Sequence, residues 1–209
     1  MFDRQQLLTA ILQRLSIMET CLKWHSSRGL NDACKVAEDV VARFLGALCG
    51  WNLVNLNTIR PNYPAADLGD AANRLAVQVT VNGTAQKIKE TCDKARDHQL
   101  SQDFDRLIVL FLLPKAPAMP QKSKTFDPAG PPALELWAHP EINRALDKLT
   151  TVEALQAVLD VLQREMSGIE AILTPVSQED PSTILKLLRE GLPKVRARTG
   201  GHLEITPPR

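Results

Sequence analysis

Aromatic side chains are scarce in this 209-residue chain, at 4% of residues. A base-stacking platform needs several exposed rings on one face, so that kind of nucleic-acid binder is not expected. Neither sign of charge dominates: 25 Lys and Arg against 24 Asp and Glu leave a formal +1. That excludes a polycation that holds nucleic acid by bulk charge. Cys21, Cys34, Cys49 and Cys92 stand far apart, with no CxxC pair and no His at ligand spacing beside them. Reduced thiols are therefore expected rather than a zinc site. No GxGxxG or Walker loop occurs, which argues against nucleotide-driven chemistry. His25, His98, His139 and His202 are scattered, so a His-based nucleophilic site has no support. The longest apolar run, 107–113, is of strand length and far below the roughly 20 residues of a membrane span. The N-terminus lacks a basic n-region and a small-residue cleavage site, and the expectation is a cytoplasmic protein with no membrane partner.

Hydrophobic residues make up 44% of the chain, enough for a true core. Leu8, Ile11, Leu12, Leu15, Met18 and Leu22 recur at helical spacing and predict an amphipathic helix over 3–24, broken at Ser26–Gly29. A second helix, capped by Asn31 or Asp32, runs to about Leu48, and Gly50 closes it. Three strand-like pieces follow, at 51–55, 63–68 and 74–81. The third alternates Leu75, Val77, Val79 and Val81 with Ala76, Gln78 and Thr80. Asn82-Gly83 turns the chain, and Thr84 caps a helix over 85–99. Residues 107–113 do not alternate, as expected of a strand buried on both faces. Residues 114–132 carry six prolines and read as a loop. A strand at 133–137 and helices at 140–149 and 151–172 complete the ordered part. The order predicts an α/β domain with a mixed four- or five-stranded sheet and helices on both faces. The apolar stripes at 8–22 and 152–169 either dock on this sheet or form a helical dimer interface.

The second helix sets Glu38 on a largely apolar stripe with Cys34, Val41 and Leu45, while Asp39 lies with Lys35 and Arg43 on a solvated ion-pair face. An inward carboxylate needs a partner, because an unpaired buried charge costs several kcal/mol. Asp67 ends the second strand, where it serves as a turn residue or a ligand. Asp70 reads as a turn former. Gln78 and Thr80 share the face opposite the valine row, and either line a cleft or meet solvent. Lys87 falls in the first turn of its helix, where a cation opposes the helix dipole at a cost of up to about 1 kcal/mol. Two carboxylates and an amide oxygen can together bind a hard divalent cation, and a nearby Lys can serve a water or a phosphate.

The order helix–strand–strand–strand–helix–strand, with Glu38, Asp67 and Gln78-Val79-Thr80 at these places, resembles the PD-(D/E)xK restriction-endonuclease-like fold. More narrowly, Asn55-Leu56-Asn57, the stretch 62–70, Ala76–Thr80 and Lys87–Thr91 resemble the SMEK-domain family of bacterial defence systems. The likeness covers about 5–113 and is most specific over 55–91. It implies a Mg²⁺- or Mn²⁺-dependent nuclease acting on DNA, with RNA as the other candidate, as the effector of an anti-phage system. Glu38, Asp67 and Gln78 would hold the ion. Thr80 occupies the family lysine's position, so Lys87 would supply that charge. Asn57, Asp70 and Thr80 are possible accessory residues, and Arg74, Lys89 and Lys94 would meet substrate phosphate. The resemblance also implies a homodimer or larger homo-oligomer and partner proteins from a defence operon. The alternative is a catalytically degenerate fold used for assembly or partner binding. In this reading residues 1–113 form the core with its N-terminal helix, 133–172 extend the same domain beyond the 114–132 loop, and 173–209 are a basic tail or linker. The near-zero charge is a sum of unlike parts, +4 over 181–209 and −3 over 1–180.

Overall fold

The computed structural model describes residues 4–29, 32–121, 132–173, 194–197 and 203–206. It divides into two units, 1–166 and 167–209. The expected cap at Asn31, the stripe partner Cys34, the ion-pair member Lys35, the apolar run 184–188, Arg198 and His202 lie outside the described residues or side chains.

The chain begins with α1 (Arg4–Ser27) and α2 (Asp32–Cys49). Gly50 closes α2, with φ of +73° and its amide donating to the Gly46 carbonyl. A glycine is favoured there because a Cβ would strain the left-handed turn. Then come β1 (Val54–Asn55), a one-turn α3 (Leu56–Ile59), β2 (Leu68–Asp70) and β3 (Leu75–Thr80). Helix α4 (Ala85–Asp97) leads to β4 (Arg106–Phe111) and β5 (Ala133–Trp137), followed by α5 (His139–Lys148) and α6 (Val152–Leu173). As expected, Thr84 caps α4, its Oγ1 accepting from the Lys87 amide at 3.2 Å.

The sheet is mixed and open, in the order β1-β2-β3-β4-β5. β1, β2 and β3 form an antiparallel meander, whereas β4 pairs parallel with both β3 and β5. Leu75 and Val77 of β3 and Ile108 and Leu110 of β4 pack into the main core, with residues of α1, α2, α5 and α6. Ala76 and Leu107 point the other way, into a second cluster with Ala95 of α4. A third cluster on that face holds Ile88 of α4 with Val109 and Phe111. β4 is therefore covered on both faces, which is why its sequence is apolar without alternation.

The two long stripes meet in the main core: Leu7, Ile11, Leu15, Met18 and Leu22 share it with Leu155, Val158, Leu159, Leu162 and Met166. The α1 stripe is rotated from the sequence reading. Leu7 is buried, Leu8 only partly so, and Leu12 is 40% exposed. The second strand differs more. Residues 63–68 are not a strand; β2 starts at Leu68, because Asn62 and Ala65 take positive φ of 55° and 67°. Within 173–209, Lys194–Ala197 and Leu203–Thr206 pair antiparallel as β6 and β7, where only a tail was expected.

Gly69 sits in the middle of β2, and a Cβ there would lie 2.9 Å from both Leu56 Cδ2 and the Phe104 ring. The ring is itself buried, so moving it would disturb its neighbours. Gly69→Ala is expected to destabilise the fold by about 1–3 kcal/mol, seen as a lowered Tm in thermal denaturation. An unchanged Tm would show that Phe104 and Leu56 repack freely.

Candidate functional site

Register decides what β2 and β3 present together. Leu68 is paired with Val77, and the Asp67 amide donates to the Val77 carbonyl at 2.9 Å. The Asp67 carbonyl accepts from the Leu56 amide at 2.8 Å. Asp67 thus lies one residue before β2, held by its neighbours on both sides. Its carboxylate oxygen Oδ2 accepts from the Val79 amide at 2.7 Å and from Gln78 Nε2 at 2.5 Å. Gln78 Nε2 also reaches the Val79 carbonyl at 3.1 Å. The amide's nitrogen is thereby committed to the protein, and its carbonyl oxygen is the end left to bind something else.

Glu38 comes from the other layer. It is half-buried on α2, and its Oε2 accepts from Asn55 Nδ2 and Asn57 Nδ2, each at 3.2 Å. Asn57 Oδ1 in turn accepts from the Tyr63 amide at 3.0 Å. Asn55 caps α3 through the Asn57 amide and also donates to Asp39 Oδ1 at 3.0 Å. These two asparagines tie the α2 acid to the loop that delivers Asp67.

Glu38, Asp67, Gln78 and Lys87 line one cleft of about 780 Å³, with Asn57 and Lys94 also in its wall. Burial pushes the Asp67 carboxyl up to about 7. The Val79 amide opposes this, the Glu38 charge reinforces it, and the Lys87 charge and the Gln78 amide oppose it. Asp67 therefore feels both the Glu38 charge and the Lys87 charge across the cleft. Among the described residues, no group of three or more His, Cys, Asp or Glu is arranged to hold a metal ion. A cation here would rest on two carboxylates and the Gln78 amide oxygen. Those hard oxygen donors fit Mg²⁺ or Mn²⁺.

Other expected residues lie elsewhere. Asp70 is buried and spends both oxygens on structure, accepting from the Asn52 amide and from the Asn73 amide and side chain. Burial would raise its pKa, but the hydrogen bonds from Asn73, Asn52 and Ala72 lower it. It is the turn former, not an accessory to the cleft. Thr80 does not line the cleft, and its Oγ1 accepts from the Asn82 amide. Arg74, at the far end of β3, pairs with Asp105 at 2.9 Å and donates to the Gln102 carbonyl. Lys89 is exposed outside the cleft wall. The expected Asp39–Arg43 pairing is replaced: Arg43 pairs with Glu165 of α6 at 2.5 Å, and Asp39 turns to Asn55 and the cleft. The sequence reading missed Asp39, Asn55 and His98 as cleft residues. The Asn55-Leu56-Asn57 spacing was the available signal for one of them.

The raised Asp67 pKa carries a sign. A carboxyl that ionises at about 7 in the fold and near 3.8 when unfolded binds more protons folded. Stability therefore falls as pH rises across about 4–7. In metal-free buffer, Asp67→Asn is expected to melt roughly 5 °C above the wild type at pH 8. The gap should close at pH 5, where Asp67 is already protonated. Thermal melts with chelator at the two pH values check this, and a variant that is no more stable at pH 8 contradicts it.

Residues 10–130 match the family model of the SMEK domain. No curated protein and no solved structure matches the chain. With more than half its length under that match, the chain belongs to the SMEK domain family.

Proposed function

We propose that this protein is a metal-dependent nuclease that hydrolyses DNA phosphodiester bonds, as the effector module of a bacterial anti-phage system. The observation that carries the reading is the arrival of Glu38, Asp67, Gln78 and Lys87 at one cleft from three separate elements and the loop before β2. The fold assignment proposed with it is restriction-endonuclease-like. Its support is the α2-β1-α3-β2-β3-α4-β4 order, with an antiparallel meander followed by a parallel crossover.

In this reading Glu38, Asp67 and Gln78 hold Mg²⁺ or Mn²⁺. The ion, when bound, polarises the phosphate and makes a water more acidic. The chain's own residues do the rest. Asn55 and Asn57 fix the Glu38 carboxylate by two hydrogen bonds, so that it need not reorganise on binding. The Val79 amide and Gln78 fix Asp67 in the same way. Burial of Asp67 beside Glu38 favours a positive ligand, because like charges held close together need a counter-charge. Lys87 places its ammonium by the acids, where it stabilises charge developing on the scissile phosphate. Its first-turn position, unfavourable to the helix dipole, is accounted for by that role.

Incubation of supercoiled plasmid and circular single-stranded DNA with Mg²⁺ or Mn²⁺ tests the reading. The wild type is expected to cut and to stop with chelator. Asp67→Ala should lose about 100-fold or more, on the scale of an impaired metal site, and Lys87→Gln a similar amount. Undiminished cutting by Asp67→Ala would overturn the site. A wild type that never cuts would overturn the activity and leave the fold as a binding module.

A further inference from the structure

Helix α4 forms part of the cleft wall, and its basic side chains there are not scattered. Lys87, Lys94 and His98 all line the cleft. On a helix, steps of seven and four residues return to nearly the same face. Ile88, Thr91 and Ala95 are the buried face of α4, so the three lie together along its flank. His98 is the residue that caps α4, its amide donating to the Lys94 carbonyl at 3.0 Å. At 1.5 Å per residue, Lys94 and His98 stand about 10 Å and about 16 Å beyond Lys87 along the axis. Lys87 is the end of this line that acts on Asp67.

We propose that this flank of α4 is a strand guide: a single nucleic-acid strand lies along it, with one phosphate at Lys87 beside the acids and flanking phosphates at Lys94 and His98. The assignment rests on the nuclease reading and adds the path and strandedness of the substrate. A linear row of donors fits a polymer with regularly repeated negative charge. The volume of about 780 Å³ is that of a small-molecule site. A space of that size is filled by a few nucleotides of one strand. Lys94 and His98 are positioning residues, since they meet the strand away from the reacting phosphate. Both are exposed, so replacing them leaves the core intact.

The test is binding rather than cleavage, made on the full chain carrying Asp67→Asn so that the probe survives. A fluorescein-labelled single-stranded oligonucleotide and its duplex are titrated at several salt concentrations, read by anisotropy. Lys94→Gln is expected to weaken single-strand binding by about 3- to 10-fold and to flatten the slope of log K against log salt by about 0.7. Adding His98→Gln should weaken it further. Lys148→Gln, an exposed charge loss on α5, should change nothing. Unchanged single-strand binding by the Lys94→Gln/His98→Gln variant overturns the guide, even where the wild type cuts DNA. Equal or tighter duplex binding overturns the strandedness, and polyglutamate competing as well as oligonucleotide overturns the choice of a nucleic acid. Guide-dependent binding by a protein whose wild type never cuts supports the guide and removes the catalytic reading alone.

Discussion

The burial of the Asp67 carboxylate against β3 is the constraint on which the rest of the cleft depends. A desolvated acid is costly unless its charge is met. Here the Val79 amide and the Gln78 side chain meet one oxygen, yet burial still lifts the pKa to about 7. The backbone leaves the residue no escape, because its amide and carbonyl are bonded to Val77 and Leu56. Asp67 is held in a place that its own chemistry disfavours. Strongly perturbed carboxylates of this kind cluster at functional sites.

The surrounding structure reads as the means of holding that arrangement. The loop into β2 adopts left-handed backbone at Asn62 and Ala65, and Ala65 is buried while doing so. For alanine that conformation costs about 1 kcal/mol or more. It is maintained by the packing of Ala65 and Ala66 with Leu56 and Phe104. Asn57 joins this loop to Glu38 through its two ends. The α2 layer and the sheet thus share one polar network, and moving either would disturb both acids. The register of α4 after its Thr84 cap brings Lys87 to the same cleft.

Much of this was legible in the sequence, and the reasons are specific. Periodicity exposed the long helices and β3, because their apolar faces repeat over many residues. The Glu38 stripe, the Gln78 face and the oddly placed Lys87 were visible for the same reason. What failed was local or tertiary. Residues 63–68 look extended by composition, but two left-handed residues turn them into a loop. Asp70 read correctly as a turn former, but its further listing beside the cleft failed, because Asn52 and Asn73 take up both its oxygens. Arg43 seemed destined for Asp39 one turn away, yet α6 offers Glu165. Arg74 was near the site in number and is at the other end of β3 in space. The β6–β7 pair hid in a segment whose basic residues resembled a tail.

The central claim is that the cleft between Glu38 and Asp67 is a divalent-cation site. Titration of Mn²⁺ into ¹⁵N-labelled protein, followed by paramagnetic broadening of amide signals, tests it most directly. The account predicts that the amides of Glu38, Asn57, Gln78 and Val79 broaden first, at substoichiometric ion, and that Mg²⁺ restores them. Broadening that begins elsewhere, or that persists unchanged in Asp67→Asn, would contradict it.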